Sequence, residues 1–391
     1  MNRIGLYLGF PPEGGGAFQY AQAMLAAVSE LPRGAYDVVV AIAHPAWHSI
    51  LAKHPDIEVL ALHESRFEPA TRLAIRLGFP IALWHRLAPR VHRVTRLLLR
   101  QGCDLWIFPA QDVLTYALPS ATIGVIHDLM HRHERQFQEV SGWGLYWRRE
   151  RHYRNLCANA RAILVDSRIG KAHVLEAYPV PAQRVHVLPF VAPDYINDTS
   201  PIDFDSRYSL PPKFLFYPAQ FWEHKNHARL LEALAEAIES VPDIHLVLAG
   251  SKKNAYSTVL DTIDKLNLRD RVHILGYIPE EDMSAFYRKA RALVMPTFFG
   301  PTNIPPLEAM AVGCPMALSN IYAMPEQVGD AAIFFDPTSV ADIAAAIVSL
   351  ATDDALCARL SAAGKLRSSK WGQSQFNAGL NEIIGEALSP Q

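Results

Sequence analysis

Residues 299–311, Phe299-Gly300-Pro301-Thr302-Asn303-Ile304-Pro305-Pro306-Leu307-Glu308-Ala309-Met310-Ala311, read as the end of an apolar strand, a turn and the start of a helix. One carboxylate sits just inside that helix. Gly300 permits another group to approach the backbone closely. Asn303 is a candidate N-cap, and prolines in a first helical turn sacrifice no needed N–H. The free N–H groups of such a helix end make an anion site, and Glu308, one turn in, would face whatever the anion carries. A phosphate held by amides beside a carboxylate that grips a vicinal diol suits a sugar nucleotide. The same residues would equally make an ordinary capped helix with an exposed Glu308.

The strand–turn–helix pattern recurs on both sides of this stretch. Apolar runs at 4–8, 38–43, 105–108, 123–126, 163–165 and 185–188 alternate with helical patterns. The alternation breaks at 191–212, VAPDYINDTSPIDFDSRYSLPP, where four prolines and several aspartates leave little periodicity. It restarts with strands at 214–217, 245–249, 272–275, 292–295, 315–318 and 332–335. Such alternation predicts parallel sheets covered on both faces. The expectation is an α/β chain of two Rossmann-like, doubly wound domains facing each other across a cleft. The boundaries read as 1–190, a linker at 191–212, 213–372, and a C-terminal helix at 373–391 that packs back on the first domain. Ligands in such sheets bind beyond the carboxyl ends of the strands.

Composition narrows the function classes. The chain has 391 residues, 50% of them apolar, and a formal net charge of −2. That length suits two cores, and that charge does not advertise a nucleic-acid partner. Cys103, Cys157, Cys314 and Cys357 are scattered, with no CxxC pair, so neither a zinc knuckle nor a disulfide framework is expected. A reducing cytoplasm follows. Neither a signal peptide nor an 18-residue apolar span is expected.

Three further loops carry chemistry. Gly14-Gly15-Gly16 follows the first strand and opens a helix, allowing backbone N–H groups to meet a phosphate or a sugar. Its spacing is not GxGxxG, so a dinucleotide site is weakly supported. Ile126-His127-Asp128 falls just past a strand. The His127 imidazole would hydrogen-bond a sugar or steady developing charge, with Asp128 orienting the ring; a structural histidine is the alternative. In Tyr217-Pro218-Ala219-Gln220-Phe221-Trp222-Glu223-His224-Lys225-Asn226-His227, Asn226 reads as the cap of the next helix. A lysine beside a helix N-terminus is electrostatically unfavourable, so Lys225 is a candidate for neutralising a diphosphate.

Together these loops resemble the retaining glycosyltransferases of family 4, which have the GT-B fold. The resemblance covers essentially the whole chain and is strongest from about 214 to 336, in YPAQFWEHKNHARLLEAL, PTFFGPTNIPPLEAMAVGCPMALSN and MPEQVGDAA. It implies that Glu308, as the second Glu of the family's EX7E motif, binds ribose hydroxyls and that Lys225 contacts the donor diphosphate. It further implies that Gly15 and Gly16 lie near phosphate or acceptor, that His127 lies near the transferred sugar, that the backbone at Asn303 and Ile304 binds phosphate, and that Gly276 and Tyr277 border the base. Two positions depart from the pattern. The first Glu of EX7E falls at Gly300, leaving Thr302 and Asn303 as substitutes, and the family arginine falls at Gln220, which carries no charge. The implied reaction moves a hexose-type sugar, with GDP-mannose as one donor and other nucleoside diphosphate sugars as alternatives, to a hydroxyl of a glycan or lipid-linked oligosaccharide. It proceeds with retention, without a metal or other cofactor. A non-catalytic sugar-nucleotide-binding subunit and a GT-B-like epimerase are the alternatives.

Residues 66–100 carry eight arginines and one acid, Glu68, interleaved with Trp84 and leucines. Trp143, Tyr146, Trp147, Arg148, Arg149 and Arg151 continue that character. Basic amphipathic helices here would suit an anionic membrane surface or a lipid-diphosphate acceptor.

Overall fold

The computed structural model describes the chain apart from residues 12–14, 63–72, 74, 76–77, 199–200, 301 and 390–391. Gly14, Pro301 and the arginines at 66, 72 and 76 therefore lie outside the described residues. The chain divides into two compact units, Met1–Val191 with Gln373–Gln391, and Ala192–Gly372.

The first unit is built on a seven-stranded sheet in the order β3-β2-β1-β4-β5-β6-β7. Its strands are β1 (Asn2–Leu8), β2 (Tyr36–Ile42), β3 (Glu58–Ala61), β4 (Leu105–Phe108), β5 (Thr122–Val125), β6 (Ala162–Val165) and β7 (Val185–Val187). All neighbouring pairs are parallel. Every residue of β4, β5 and β6 is buried, which is why these strands read as unbroken apolar runs without alternation. The edge strand β3 went unrecognised in the sequence. Its residues EVLA are mostly exposed, so neither an apolar run nor a clean alternation marks it. The C-terminal helix Gln373–Leu388 belongs to this unit. Phe376 packs edge-on against Tyr20, and Gln373 Nε2 donates to Ala23 O at 2.8 Å.

The second unit repeats the winding with six strands in the order β10-β9-β8-β11-β12-β13. These are β8 (Phe214–Pro218), β9 (His245–Ala249), β10 (Val272–Gly276), β11 (Ala292–Met295), β12 (Met316–Ser319) and β13 (Ile333–Phe335). Phe214, Leu215, Phe216 and Tyr217 of β8 lie at the centre of the core; burying such a side chain contributes about 2 kcal/mol each.

Most of the segment read as a linker is instead part of this unit. Residues Asp194–Asn197 and Phe204–Tyr208 form helical turns, and Ile196 and Phe204 enter the core. The paired buried carboxylate of Asp282 accepts from Arg207 at 2.6 and 2.7 Å and from Tyr208 at 2.6 Å. Prolines and aspartates hid these short turns because neither 3.6-residue periodicity nor alternation has room to develop in five residues.

In each sheet the strand order reverses once, between β1 and β4 and between β8 and β11. In sheets wound this way, the loops leaving the two strands at the reversal diverge, and a ligand crevice is expected at their carboxyl ends.

Candidate functional site

The reversal in the second sheet brings together the loops after β8 and β11, and side chains bind them to one another. Asn226 Nδ2 donates to Pro296 O at 2.9 Å and to Pro337 O at 2.8 Å. Phe298 N donates to His224 O at 2.8 Å, and the His224 ring stacks on Phe299 at 3.7 Å between centroids. Asn226 stands at the N-cap of helix His227–Ser240 with a left-handed backbone, φ 59°. It makes no capping hydrogen bond with its side chain, contrary to the sequence reading; that amide joins the loops instead.

Lys225 emerges from this junction, its carbonyl held by Tyr217 Oη at 2.9 Å. Its Nζ donates to Asn303 Oδ1 at 3.2 Å. The residues that the sequence assigned to a diphosphate site, 78 positions apart, thus meet at the N-cap of helix Ile304–Val312. Burial pulls the Lys225 ammonium down to about 8, as desolvation disfavours the charged form. An anion arriving beside it would restore that charge.

The helix end itself is a poorer anion site than the sequence suggested. Of the four N–H groups that a helix start leaves open, those at Pro305 and Pro306 do not exist. That of Asn303 is donated to Gln327 Oε1 at 3.1 Å, while Gln327 Nε2 returns a bond to Asn303 O at 2.7 Å. Ile304 N–H remains for a ligand. Asn303 also does not cap the helix with its side chain; that amide accepts from Lys225 and donates to Gly300 O at 3.2 Å. Gly300 has φ 112°, and a Cβ there would lie 2.8 Å from Asn303 Oδ1. The absence of a side chain at Gly300 therefore makes room for the Asn303 amide.

Glu308 was expected to face a ligand, but it is 2% exposed. Tyr195 Oη donates to one carboxylate oxygen, and Tyr287 Oη to the other at 2.6 Å. Burial raises the Glu308 carboxyl above its ordinary range, and the two tyrosine bonds oppose that rise. Neither tyrosine was singled out in the sequence, since Tyr195 lay in the supposed linker and Tyr287 in a charged helix, EEDMSAFYRK, with no motif around it. Gln220 Oε1 accepts from Trp222 Nε1 at 2.9 Å. Gly276 closes β10 with φ 72°, and Tyr277 beyond it is 78% exposed. Thr302 is partly buried beside Asn303 in sequence.

In the first unit, Gly15 is the N-cap of helix Gly16–Ser29 at φ 57°, with open space where a Cβ would stand. His127 follows β5 and packs against Tyr20 and Phe190 at 5.3 and 5.6 Å between ring centroids. Its Nε2 pairs with Pro109 O at 3.2 Å, while buried Nδ1 lacks a partner among the described residues. Burial lowers its pKa, favouring the neutral ring. Asp128 does not orient that ring. Its carboxylate is taken by Arg149 at 3.0 and 3.1 Å and by Met130 N at 3.0 Å.

Two parallel sheets with strand orders of this kind define the GT-B class, and solved structures agree. Anabaena Alr3699/HepE in complex with UDP and glucose aligns with TM-score 0.75 at 18% identity, covering 98% of this chain and all of that one. Sucrose-phosphate synthase from Thermosynechococcus elongatus aligns with TM-score 0.72 at 17% identity, over 98% of both chains. Residues 199–367, within the second unit, match the family Glycosyl transferases group 1. The O-antigen chain mannosyltransferase B of Escherichia coli is 28% identical over 201 residues, which are 50% of this chain and 53% of the relative. The serotype-specific mannosyltransferase WbdA of Escherichia coli is 27% identical over 277 residues, 67% of this chain and 32% of that one. The chain thus spans about half and a third of these relatives' lengths. Among the described residues, no helix is long and apolar enough to cross a membrane.

Proposed function

We propose that this protein is a retaining glycosyltransferase of the family 4 type, moving a hexose from a nucleoside diphosphate sugar to a hydroxyl of a glycan or lipid-linked oligosaccharide in polysaccharide synthesis. The observation that carries this reading is Lys225, partly desolvated and held by Asn303 at the reversal point of a group 1 domain. A half-buried cation with a neutral partner is poised for an anion. As the sugar–oxygen bond breaks, negative charge grows on the departing diphosphate, and preorganised positive charge lowers that barrier. Lys225 fills that role here instead of a divalent cation, so transfer is expected to persist in a chelator. The first unit takes the acceptor, with neutral His127 as a hydrogen-bonding partner for a sugar hydroxyl. The mannosyltransferase relatives favour GDP-mannose as the first donor to try.

A second reading, a nucleotide-sugar-binding subunit without turnover, is favoured by the loss of the family's Glu and Arg at Gly300 and Gln220. One experiment separates the two. The purified chain is screened by thermal shift against GDP-, UDP- and dTDP-sugars, because a ligand that binds the folded state raises its melting temperature. The donor that stabilises it is then incubated with glycan acceptors, and the product's anomeric configuration is read by NMR. A retained glycoside supports transfer. Binding without product on any acceptor supports the second reading, and no stabilisation by any nucleotide sugar rejects both.

A further inference from the structure

Helix Ile81–Val91 of the first unit turns Trp84 and Ala88 inward, where both are buried. An ordinary surface helix then shows water a polar face of mixed charge. This one does not. Leu83, Leu87 and Val91 are 44%, 37% and 61% exposed, and exposed Arg86 and Arg90 stand between them. The spacing i, i+3, i+4, i+7, i+8 places all five on one outward stripe. Arg93, Arg96 and Arg100 of the following helix are also exposed, and no acidic residue occurs from 69 to 103.

A second helix, Leu145–Asn159, repeats the pattern. Trp147, Arg148, Arg151 and Arg154 are exposed along it, and Trp143 just before it is fully exposed. Its one acid, Glu150, is turned inward to Arg132, His131 and Tyr178. The Arg151 guanidinium lies against Gly78, where a Cβ would be 2.5 Å away. Arg151 thus reaches the turn just ahead of the first helix and links the two basic, apolar stripes.

We infer that this surface docks on an anionic lipid bilayer, with Leu83, Leu87, Val91 and the two tryptophans entering the headgroup boundary and the arginines pairing with lipid phosphates. The sign of charge selects the occupant. A polyanion such as nucleic acid would leave the leucine and tryptophan side chains unmatched, and a second copy would set arginine against arginine. A helix with apolar residues and arginines on one face lies in the plane of the interface, and tryptophan favours headgroup depth. The inference is independent of the transferase reading, and neither falls with the other.

The test is flotation of the whole chain with phosphatidylcholine vesicles, with and without phosphatidylglycerol. The wild type is expected to float with the anionic vesicles, to be released by salt, and to show a blue shift of tryptophan emission that Trp143→Ala/Trp147→Ala removes. Arg86→Glu/Arg90→Glu/Arg93→Glu is expected to lower partition about a hundredfold at unchanged melting temperature, given the contribution of each basic residue near a charged surface. Leu83→Ser/Leu87→Ser should weaken binding to both vesicle types. The salt titration of the wild type reads the same electrostatics should the triple variant fail to fold. Wild type that does not float with anionic vesicles, or floats equally well without anionic lipid, overturns the proposal. So does a dimer in solution that Leu83→Ser/Leu87→Ser converts to monomer.

Discussion

The two units wind their sheets alike, yet the crevices at the two reversals carry opposite chemistry. In the second, a partly buried lysine is set against an amide oxygen, with both neighbouring loops tied down by Asn226 and the His224–Phe299 stack. In the first, the central group is a histidine packed between Tyr20 and Phe190, and the nearest acid is already paired with Arg149. Strand order fixes where a ligand goes, whereas the loop residues fix what it is. A crevice with one uncompensated cation suits a diphosphate; one with aromatic walls and a neutral imidazole suits a sugar. Removing the charge from the second crevice should therefore do the most damage. Lys225→Ala is expected to lower turnover by about a hundredfold or more, the scale on which preorganised charge acts. Its melting temperature should hold or rise, because a desolvated cation is gone. Turnover near wild type in a steady-state assay would dissolve the contrast between the units.

Glu308→Ala tests the buried part of the second unit. It strands the Tyr195 and Tyr287 hydroxyls, one of them fully buried, at about 2 kcal/mol or more. Chemical denaturation should show that loss in the second unit's transition. If Glu308 also reaches ribose, calorimetry should show nucleotide affinity down about tenfold, and Glu308→Gln should recover stability better than affinity. Affinity that tracks stability through both variants would make Glu308 a brace for the two tyrosines and nothing more.

How far the sequence disclosed this site depends on how local each signal was. Strands β8, β9, β11 and β12 were legible because each is a largely buried apolar run between helical patterns, and the half-buried β10 and β13 because they too are short apolar runs set off by helices. Lys225 was legible because a cation beside a helix start is locally unfavourable and so calls for a reason. Its meeting with Asn303 follows from strand order, which adjacent residues do not encode. The proline pair at 305–306 was visible, but its consequence was misjudged: two missing donors weaken an anion site, and Gln327 takes a third. Tyr195 and Tyr287 were missed, and Arg149 was read as part of a basic surface and not as the partner of Asp128, because each matters through a partner at least 21 positions away. No spacing rule reaches that far.

Gly300 offers a finer test. Gly300→Ala puts a Cβ on a backbone at φ 112° and 2.8 Å from Asn303 Oδ1, a conformation that costs non-glycine residues about 1–3 kcal/mol. The Asn303 amide must shift, and Lys225 loses its fixed partner. Nucleotide affinity is expected to fall about fivefold with little change at the first unit, measured as an unaltered acceptor KM. Unchanged affinity would show that the Lys225–Asn303 bond does not position the lysine.

The smallest expected effect concerns pH, and it sets the two crevices against each other. Lys225 sits at about 8 in the folded protein, below the ordinary lysine value of about 10.4. Between those values the unfolded chain holds the extra proton, so this group makes stability rise with pH across that window. Nucleotide binding runs the other way, because a diphosphate needs the charged form. Affinity for the nucleoside diphosphate should drop about twofold from pH 7 to pH 8 and more steeply above, and binding should draw a proton from the buffer. In Lys225→Gln the slope should vanish. His127, lowered by burial, is already neutral at pH 7 and adds nothing in this range. Calorimetry in buffers of different ionisation enthalpy reads the proton directly. Binding without proton uptake at pH 8 would mean that Lys225 is already fully charged before the nucleotide arrives, and the second crevice would then owe its affinity to geometry more than to a desolvated cation.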